Sequence, residues 1–158
     1  MRVGFGYDIH PLVDDRPMII GGVQLMSEKG LGGHSDADVL LHAIGDALLG
    51  AASLGDLGKY FPDTSASFAN ISSLILLKEI AALLARDAYS IVNIDSTVVL
   101  EEPKLAPYIQ EMKSNIASCL KLSVDAVSVK ATTSEKIGFV GREEGIACYA
   151  VALIEKKK

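Results

Sequence analysis

Two side chains near the start of the chain could bind a metal ion. Asp8 and His10 lie two residues apart in the segment GFGYDIHPL, residues 4–12, whose alternation predicts a β-strand. Residues spaced in this way point to the same face of a strand, so both side chains can reach one ion. Zinc requires three or four ligands, and an isolated Asp-x-His pair is more often a polar strand end. A further ligand must therefore come from elsewhere in the chain.

The best candidate for that ligand is a histidine on a predicted helix. The chain has three histidines, and His34 and His42 flank the start of the first predicted helix, in GGHSDADVLLHAIGDALLG, residues 32–50. On the helix alone, the apolar neighbours of His42 favour a core histidine. Together with Asp8 and His10, however, it completes a set of three ligands with two imidazoles. That set is typical of a catalytic zinc site with one open position, and we favour this hypothesis.

Three other segments could bind phosphate. FPDTS, residues 61–65, offers two hydroxyls and loop amides, although a plain Pro-Asp turn explains it equally well. In KATTSEK, residues 130–136, Thr132 and Glu135 match the capping box of a helix, whose N-terminal amides can also bind phosphate. A carboxylate at that place requires a divalent cation between itself and the phosphate. The third segment, GREEG, supplies Arg142, for which exposure to solvent is the default expectation.

These candidates need a scaffold of alternating strands and helices. The patterns predict strands at residues 2–9, 18–25, 90–100, 126–132 and 145–155, and helices from 35 to about 50–55, from 72 or 73 to about 86, and from about 107 to 120. We expect the first two strands to form a hairpin. Residues 56–70 are expected to form a long loop, of a length that is often functional. Ser35 is expected to cap the first helix, with Asp36 and Asp38 complementing its N-terminus.

The first strand has two different faces. Val3, Phe5, Tyr7 and Ile9 are expected to belong to an ordinary core, whereas the opposite face begins with two glycines, Gly4 and Gly6. These glycines would let a substrate or a neighbouring chain approach the backbone.

The last two strands are expected to be apolar on both faces. They read AVSVKAT and GIACYAVALIE, and such strands need cover beyond a single layer of helices. Subunit packing is one candidate for that cover.

Composition bounds the class of protein. With 158 residues, of which 49% are hydrophobic, the chain suits one compact domain. Its net charge of −5 and pI near 5.1 argue against a general nucleic-acid binder. We expect no membrane segment and no signal peptide. Cys119 and Cys148 match no metal or redox spacing, so we expect buried free thiols in a reducing cytoplasm.

Four longer motifs carry a resemblance to a known family. GYDIH, HSDADVLLHAIGDALLGAASLGDLGKYFPDT, PKL and VKATTSEKIGFVGREEGIACYAVAL resemble the 2-C-methyl-D-erythritol 2,4-cyclodiphosphate synthases of the non-mevalonate isoprenoid pathway. The resemblance spans essentially the whole chain and lacks distinctive signal only at residues 65–90. It implies an α/β (α+β) fold in which residues 1–158 form a single cyclodiphosphate synthase domain. That domain would have a mixed β-sheet with helices on one face. The sheets would pack together in a homotrimer, with each active site between two subunits.

The resemblance also implies a set of site residues. Asp8, His10 and His42 would bind Zn²⁺, while Glu135 and the substrate diphosphate would hold a second ion, Mg²⁺ or Mn²⁺. The catalytic residues would be His34, Thr133 and Glu135. The implied substrate-binding residues are Asp8, His10, His34, Ser35, Asp56, Leu57, Gly58, Phe61, Pro62, Asp63, Thr64 and Ser65 around the erythritol and its phosphates, Leu100, Pro103, Lys104, Leu105, Ala106, Thr132 and Thr133 at the cytidine diphosphate end, and Ser134, Glu135, Phe139 and Arg142. Glu101 and Glu102 depart from the family pattern by adding negative charge near the expected base pocket.

The implied activity has two alternatives from other classes. The family converts 4-diphosphocytidyl-2-C-methyl-D-erythritol 2-phosphate to the cyclic diphosphate and releases CMP. A zinc-dependent nucleotide diphosphatase would use the same metal to activate water. A non-catalytic trimeric module would bind an isoprenoid in its apolar centre. Metal content separates this last alternative from the two enzymes, and the fate of water separates the enzymes from each other.

Overall fold

A computed structural model describes residues 1–65 and 68–157 of the chain. The strands in those residues are β1 (Arg2–Val13), β2 (Met18–Ile20), β3 (Val23–Leu25), β4 (Gly30–Leu31), β5 (Tyr89–Val99), β6 (Val127–Thr132) and β7 (Gly145–Lys156). The helices are α1 (Val39–Ala52), α2 (Leu57–Tyr60), α3 (Ser73–Arg86), α4 (Ile109–Leu120) and α5 (Gly138–Gly141), with a 3₁₀ turn at Val124–Ala126. The predicted α3, β5, α4 and β7 are therefore confirmed to within about two residues at each end.

Five of the strands form one mixed sheet. Its order is β4-β1-β7-β5-β6, and only the β5–β6 pair is parallel among the pairs of that sheet in the described part of the chain. The predicted hairpin between residues 2–9 and 18–25 is wrong. β1 pairs instead with β7 and β4, while β2 and β3 pair with each other. The reason is a two-residue turn at Gly21 and Gly22, whose φ angles of 62° and 70° suit a tight hairpin.

Helix α1 lies directly on β1. A Cβ on Gly4 would lie 1.8 Å from the carbonyl oxygen of Ala47, and one on Gly6 would lie 1.9 Å from that of Ala43. The two glycines therefore admit the protein's own helix. The prediction that they admit a substrate or a neighbouring chain is wrong.

The helices cover one face of the sheet and leave the other face exposed. The expected fold class, a mixed α/β domain with helices on one face, is confirmed. The face of β1 that carries Phe5 was expected to be ordinary core, and this expectation is wrong for the single chain. Phe5 is 62% exposed there, and the same face carries Val3, Tyr7, Ile9, Tyr149 and Val151, all partly exposed.

Strand β6 is not apolar on both faces, which corrects that prediction. Its outward residues are Ser128 and Lys130, and the ammonium group of Lys130 lies 2.5 Å from the carboxylate of Asp95 on β5. On β7 the second face is apolar, with Tyr149 and Val151 each more than two-fifths exposed. The exposed apolar surface is thus concentrated on β1 and β7.

Asp38 caps α1, not Ser35 as predicted. Its fully buried carboxylate accepts the backbone N–H of Leu41 at 3.1 Å, and the N–H groups of Gly21 and Gly22 at 2.9 and 2.7 Å. One side chain thus starts the helix and ties it to the β2–β3 turn. Asp36 does not complement α1 either, because its carboxylate accepts the N–H of Ser73 at the start of α3.

Two further expectations need correction. Residues 56–70 are not loop throughout, since Asp56 caps the short helix α2 by accepting the N–H of Lys59 at 3.1 Å. No helix begins at the predicted capping box of Thr132 and Glu135. Glu135 has a φ of 55°, outside the helical region, and the following helix α5 starts only at Gly138.

Both cysteines are buried free thiols, as expected. Among the helices of residues 1–65 and 68–157, none has the length and apolar character that crossing a bilayer requires.

Candidate active site

Three side chains from two elements converge at one end of the sheet. Asp8 and His10 point from β1 toward α1, and His42 points back from the first turn of that helix. Oδ2 of Asp8 lies 3.0 Å from Nε2 of His10 and 3.2 Å from Nδ1 of His42, and the two nitrogens are 3.1 Å apart. Within the described residues, this is the one group of three His, Cys, Asp or Glu side chains placed to share a metal ion.

The spacing of these three atoms fits a tetrahedral metal. Zinc bonds of about 2.1 Å to nitrogen and oxygen place ligand atoms roughly 3.3 Å apart. The observed separations of 3.0–3.2 Å are close to this value. The triad could therefore hold an ion after small adjustments of the side chains.

The hydrogen bonding of His10 favours a cation at the same point. Its Nδ1 lies 2.8 Å from the carbonyl oxygen of Gly32, which can only accept, so Nδ1 carries a hydrogen. Nε2 of the neutral ring then presents a lone pair to Asp8 and His42. A positive charge between these acceptors relieves their repulsion, and a carbonyl partner that orients the ring is typical of metal-binding histidines.

A proton can occupy the place of the ion, and the pKa values reflect this. Burial raises the pKa of Asp8, but its contacts with the imidazoles of His10 and His42 outweigh burial and bring the pKa to about 2. Burial lowers the pKa of His10, but its hydrogen bond to Asp8 outweighs burial and raises it. Metal and proton therefore compete for this site.

The triad lines a cavity of ≈ 370 Å³ between β1, α1 and the segment that follows α1. His34 and Ser35 line it from the loop before α1, and Leu57, Phe61 and Asp63 line it from α2 and the turn beyond. The ring of His34 is held by a contact of 2.9 Å between Nε2 and the carbonyl oxygen of Ser65. The structure thus brings together most of the residues predicted to surround the erythritol and its phosphates.

The other predicted residues of that group lie beside the cavity. Asp56 caps α2, Gly58 lies within it, and Pro62, Thr64 and Ser65 belong to the turn that follows. The N–H of Ser65 donates to the carbonyl oxygen of Pro62 at 3.0 Å, so a turn is present at FPDTS. Its phosphate contacts stay a prediction.

The residues predicted for the cytidine diphosphate end line a second cavity of ≈ 200 Å³. It lies where β5 and β6 end, and it is lined by Leu100, Glu101, Pro103, Lys104, Leu105, Ala106, Ala131, Thr132 and Thr133. Among the described residues, none lines both this cavity and the one at the triad. The two cavities are therefore separate within one chain.

A buried carboxylate shapes the loop between β6 and α5. The side chain of Glu101 is only 3% exposed, and its Oε1 accepts N–H groups from Ser134 at 3.0 Å and Lys136 at 3.2 Å, and the hydroxyl of Ser134 at 2.9 Å. The ammonium group of Lys136 lies 3.3 Å from Oε2. The charge of Glu101 is thus balanced by this loop, although the residue also lines the second cavity, as expected.

The same loop carries two of the three predicted catalytic residues. The hydroxyl of Thr133 donates to Oε1 of Glu135 at 2.5 Å, and both residues are exposed. Further along, Phe139 is half-buried on α5, and Arg142 pairs with Glu144 at 2.9 Å on the surface. Arg142 therefore has the exposed position that was its default expectation.

The structure adds three polar residues that the sequence patterns did not assign to the site. Asp46 lines the triad cavity and accepts the N–H of Leu57 at 2.8 Å, which fixes the start of α2. Burial raises the pKa of Asp46. Ser73 and Asp36 lie behind His42 and bond to each other. The spacing of Asp46 from His42 was a signal for the first of these, but no local pattern connects His42 with Ser73.

Comparison with known proteins adds independent information. A sequence model of the YgbB family matches residues 1–155. A relative from Chloroherpeton thalassium, named 2-C-methyl-D-erythritol 2,4-cyclodiphosphate synthase, is 62% identical over 156 residues, which are 99% of each chain.

Two solved structures are similar in fold. The bifunctional IspDF from Campylobacter jejuni superposes with a TM-score of 0.96 and 42% identity over 99% of this chain, which spans only 42% of that longer one. IspF from Plasmodium falciparum, in a CDP complex, gives a TM-score of 0.86 and 32% identity, covering 99% of this chain and 97% of the other.

Proposed function

The chain belongs to the YgbB family, that of the 2-C-methyl-D-erythritol 2,4-cyclodiphosphate synthases, and from this membership we propose how its residues perform the reaction. It is an enzyme that carries out the cyclisation step of isoprenoid biosynthesis. The observation that carries the proposed mechanism is the convergence of Asp8, His10 and His42 on the wall of the cavity that also contains His34 and Asp63.

The proposed substrate is 4-diphosphocytidyl-2-C-methyl-D-erythritol 2-phosphate. An oxygen of its 2-phosphate attacks the β-phosphorus, and a new P–O–P bridge forms. The bond from that phosphorus to the oxygen of the α-phosphate breaks, and CMP leaves with this oxygen. No water enters the products. A phosphate monoester is already anionic near neutral pH, so the nucleophile needs alignment and charge neutralisation rather than a general base.

The triad is proposed to hold Zn²⁺. When bound there, zinc supplies positive charge that neutralises a substrate phosphate. The orientation of His10 and the charge of Asp8 suit these two residues to this role. Gly32 orients His10 through the carbonyl contact of 2.8 Å, and Asp8 contributes the one negative charge of the triad.

Glu135 is proposed to hold a second divalent ion, Mg²⁺ or Mn²⁺, on the diphosphate. A single exposed carboxylate offers few ligands, so oxygens of the substrate must supply most of the others. The hydroxyl of Thr133 donates to this carboxylate and orients it. Glu101 holds the whole segment by accepting hydrogen bonds from Ser134 and Lys136.

The remaining residues are proposed to align the two reacting phosphates. His34 and Ser35, with Asp56, Leu57, Gly58 and residues 61–65, would surround the erythritol end. Lys104, Thr132 and Thr133, with Leu100, Pro103, Leu105 and Ala106, would bind the cytidine diphosphate end, and Ser134, Phe139 and Arg142 would complete the set. Positioning of this kind lowers the barrier by fixing the attacking oxygen in line with the bond that breaks.

We further propose that the enzyme is a homotrimer, with each active site between two subunits. Two observations support this: the exposed apolar face around Phe5 and Tyr149, and the separation of the two cavities within one chain. Burying that face against neighbours would remove its apolar side chains from water and could bring one chain's nucleotide cavity beside the next chain's triad. Residues 1–158 would form one synthase domain, and the two buried free thiols favour a cytoplasmic location.

The products formed from the proposed substrate test this function. The purified protein is incubated with the substrate and Mg²⁺, and the reaction is followed by phosphorus NMR. We expect the resonances of CMP and a cyclic diphosphate in equal amounts. A linear bisphosphate would instead assign the site to a diphosphatase. Absence of any conversion would contradict an enzyme that acts on this substrate.

A further inference from the structure

We infer that Ser73 and Asp36 are positioning residues that select the tautomer of His42 required for metal binding. This inference rests on the proposed metal site of Asp8, His10 and His42. Neither Ser73 nor Asp36 touches the atoms that would hold the ion. Both act through the far side of the His42 ring.

The contacts form a chain from α3 to the triad. Ser73 is the first residue of α3 and is 1% exposed. Its Oγ lies 2.9 Å from Nε2 of His42. The same hydroxyl bonds to Oδ1 of Asp36, and the backbone N–H of Ser73 donates to Oδ2 of Asp36 at 2.9 Å. Asp36 thus holds Ser73 at two points.

Counting hydrogens along this chain fixes the direction of each bond. An ionised carboxylate only accepts, and a serine hydroxyl carries one hydrogen. The hydrogen of Ser73 is therefore directed to Asp36, and its oxygen is left to accept from His42. Nε2 of His42 must then carry the hydrogen, which leaves the lone pair on Nδ1.

That lone pair lies where the metal site requires it. Nδ1 of His42 is the atom that lies 3.2 Å from Asp8 and 3.1 Å from His10. The opposite tautomer would place a hydrogen at Nδ1 and block coordination through it. The hydrogen bond also orients the ring and raises the basicity of the coordinating nitrogen, as partners of metal-bound histidines do.

Ser35 cannot make this selection by itself. Its Oγ lies 3.1 Å from Nε2 of His42 and accepts the N–H of Ala37 at 3.1 Å. Those two contacts leave the direction of its own hydrogen open, so Ser35 could either accept from His42 or donate to it. Ser73 differs because its hydroxyl already donates its hydrogen to Asp36. The Asp36–Ser73 pair is therefore the part of the environment that decides the tautomer.

Zinc affinity of the metal-free protein tests the inference without relying on turnover. Affinity is measured by competition with a chromophoric chelator for the wild type, Ser73→Ala and Asp36→Ala. We expect both variants to bind zinc roughly 10–100-fold more weakly, the usual cost of losing such a partner. Ser72→Ala is the matched control, because Ser72 precedes the same helix and its side chain makes no capping hydrogen bond. It should bind zinc like the wild type, and Ser73→Thr, which keeps the hydroxyl, should recover much of the affinity.

The tautomer itself is read in the metal-free wild type by ¹⁵N NMR of the histidine rings at mildly alkaline pH. We expect His42 with hydrogen on Nε2 and a mixture of tautomers in Ser73→Ala. Hydrogen on Nδ1 in the wild type would overturn the inference, as would wild-type zinc affinity in both variants. In those cases the metal site would still stand. A wild type that binds no zinc would instead remove the proposed metal site, and the inference with it.

Discussion

Nδ1 of His42 lies 3.2 Å from Oδ2 of Asp8, although the two residues are separated by 34 positions and belong to different elements. The approach is possible because α1 crosses β1 at Gly4 and Gly6, where any side chain would meet the backbone of the helix. Gly4 and Gly6, which have no side chain, therefore set the spacing of the proposed metal ligands.

This dependence predicts the effect of Gly6→Ala. The new Cβ would lie 1.9 Å from the carbonyl oxygen of Ala43, so α1 must move outward and carry His42 with it. We expect the free energy of unfolding to fall by about 1–3 kcal/mol, as is usual for overpacking, and zinc affinity to fall as well. Denaturant titration and metal analysis measure the two effects.

Gly50→Ala is the matched control for that change. Its new Cβ would lie 3.9 Å from the carbonyl oxygen of Phe5, an ordinary contact distance. Gly50 lies in α1, the helix that packs against Gly6. It should keep its zinc and gain about 0.5–1 kcal/mol of stability from the better helix former. Equal behaviour of the two variants would mean that the close approach at Gly6 does not position the triad.

The proposed zinc ligands are tested by comparing two histidines of the same cavity. The purified wild type should carry about one zinc ion per chain, held in the three-ligand pattern. We expect His42→Ala to lose this ion together with activity. His34→Ala should lose activity but keep the ion, because His34 bonds to Ser65 and not to the triad. Atomic absorption and product assays separate the two effects. Full zinc content in His42→Ala would disprove the ligand assignment.

Local patterns predicted these candidate ligands and several helices and strands because the signals for them lie within short segments. Asp8 and His10 share a face by the alternation of a strand, and the helical period that places His42 is equally local. Those patterns carry no information about which distant strand β1 pairs with. Ten residues of β1 pair with β7, some 140 positions further along the chain, and the predicted hairpin was wrong for this reason.

The rest of the site could not be predicted because tertiary packing creates it. Ser73 reaches His42 only because α3 packs against α1, and Glu101 meets Lys136 only where β5 and β6 end side by side. The exposed position of Phe5 has a different cause. An apolar strand face indicates burial, but the sequence does not tell whether the cover comes from the same chain or from another.

The exposed sheet face predicts the assembly. In Phe5→Glu, a charge replaces a side chain that is 62% exposed in the single chain and would be buried in the proposed trimer. We expect light scattering to report a monomer or a weakened trimer, with loss of activity, because burying an unpaired charge is costly. Ile75→Glu, at a 48% exposed residue on α3, should remain trimeric. A wild type that is fully active as a monomer would rule out the assembly.

The loop that carries Glu135 should loosen at acidic pH. Burial raises the pKa of Glu101, but hydrogen bonds from Ser134 and Lys136 outweigh it and lower the pKa below its usual value. A lowered pKa stabilises the folded loop above the unfolded pKa of about 4.3 and loses that contribution as pH falls through the lower folded value.

Hydrogen exchange measures this loosening at the amides of Ser134 and Lys136. Corrected for intrinsic rates, their protection should fall as pH decreases below about 4. In Glu101→Gln it should already be low and nearly independent of pH. Asp95→Asn, which removes an exposed pair with Lys130, should behave as the wild type at this loop. Protection in Glu101→Gln equal to that of the wild type would show that Glu101 does not hold the loop.

The source of the attacking oxygen tests the proposed chemistry most directly. If the 2-phosphate of the substrate is the nucleophile, turnover in ¹⁸O-labelled water yields CMP and a cyclic diphosphate that both lack the label. A hydrolase must instead add the oxygen of an activated water molecule to a product. Mass spectrometry of the phosphate products distinguishes the two. We predict unlabelled CMP and unlabelled cyclic diphosphate in equal amounts, whereas solvent oxygen in a linear bisphosphate as the main product would contradict the cyclisation.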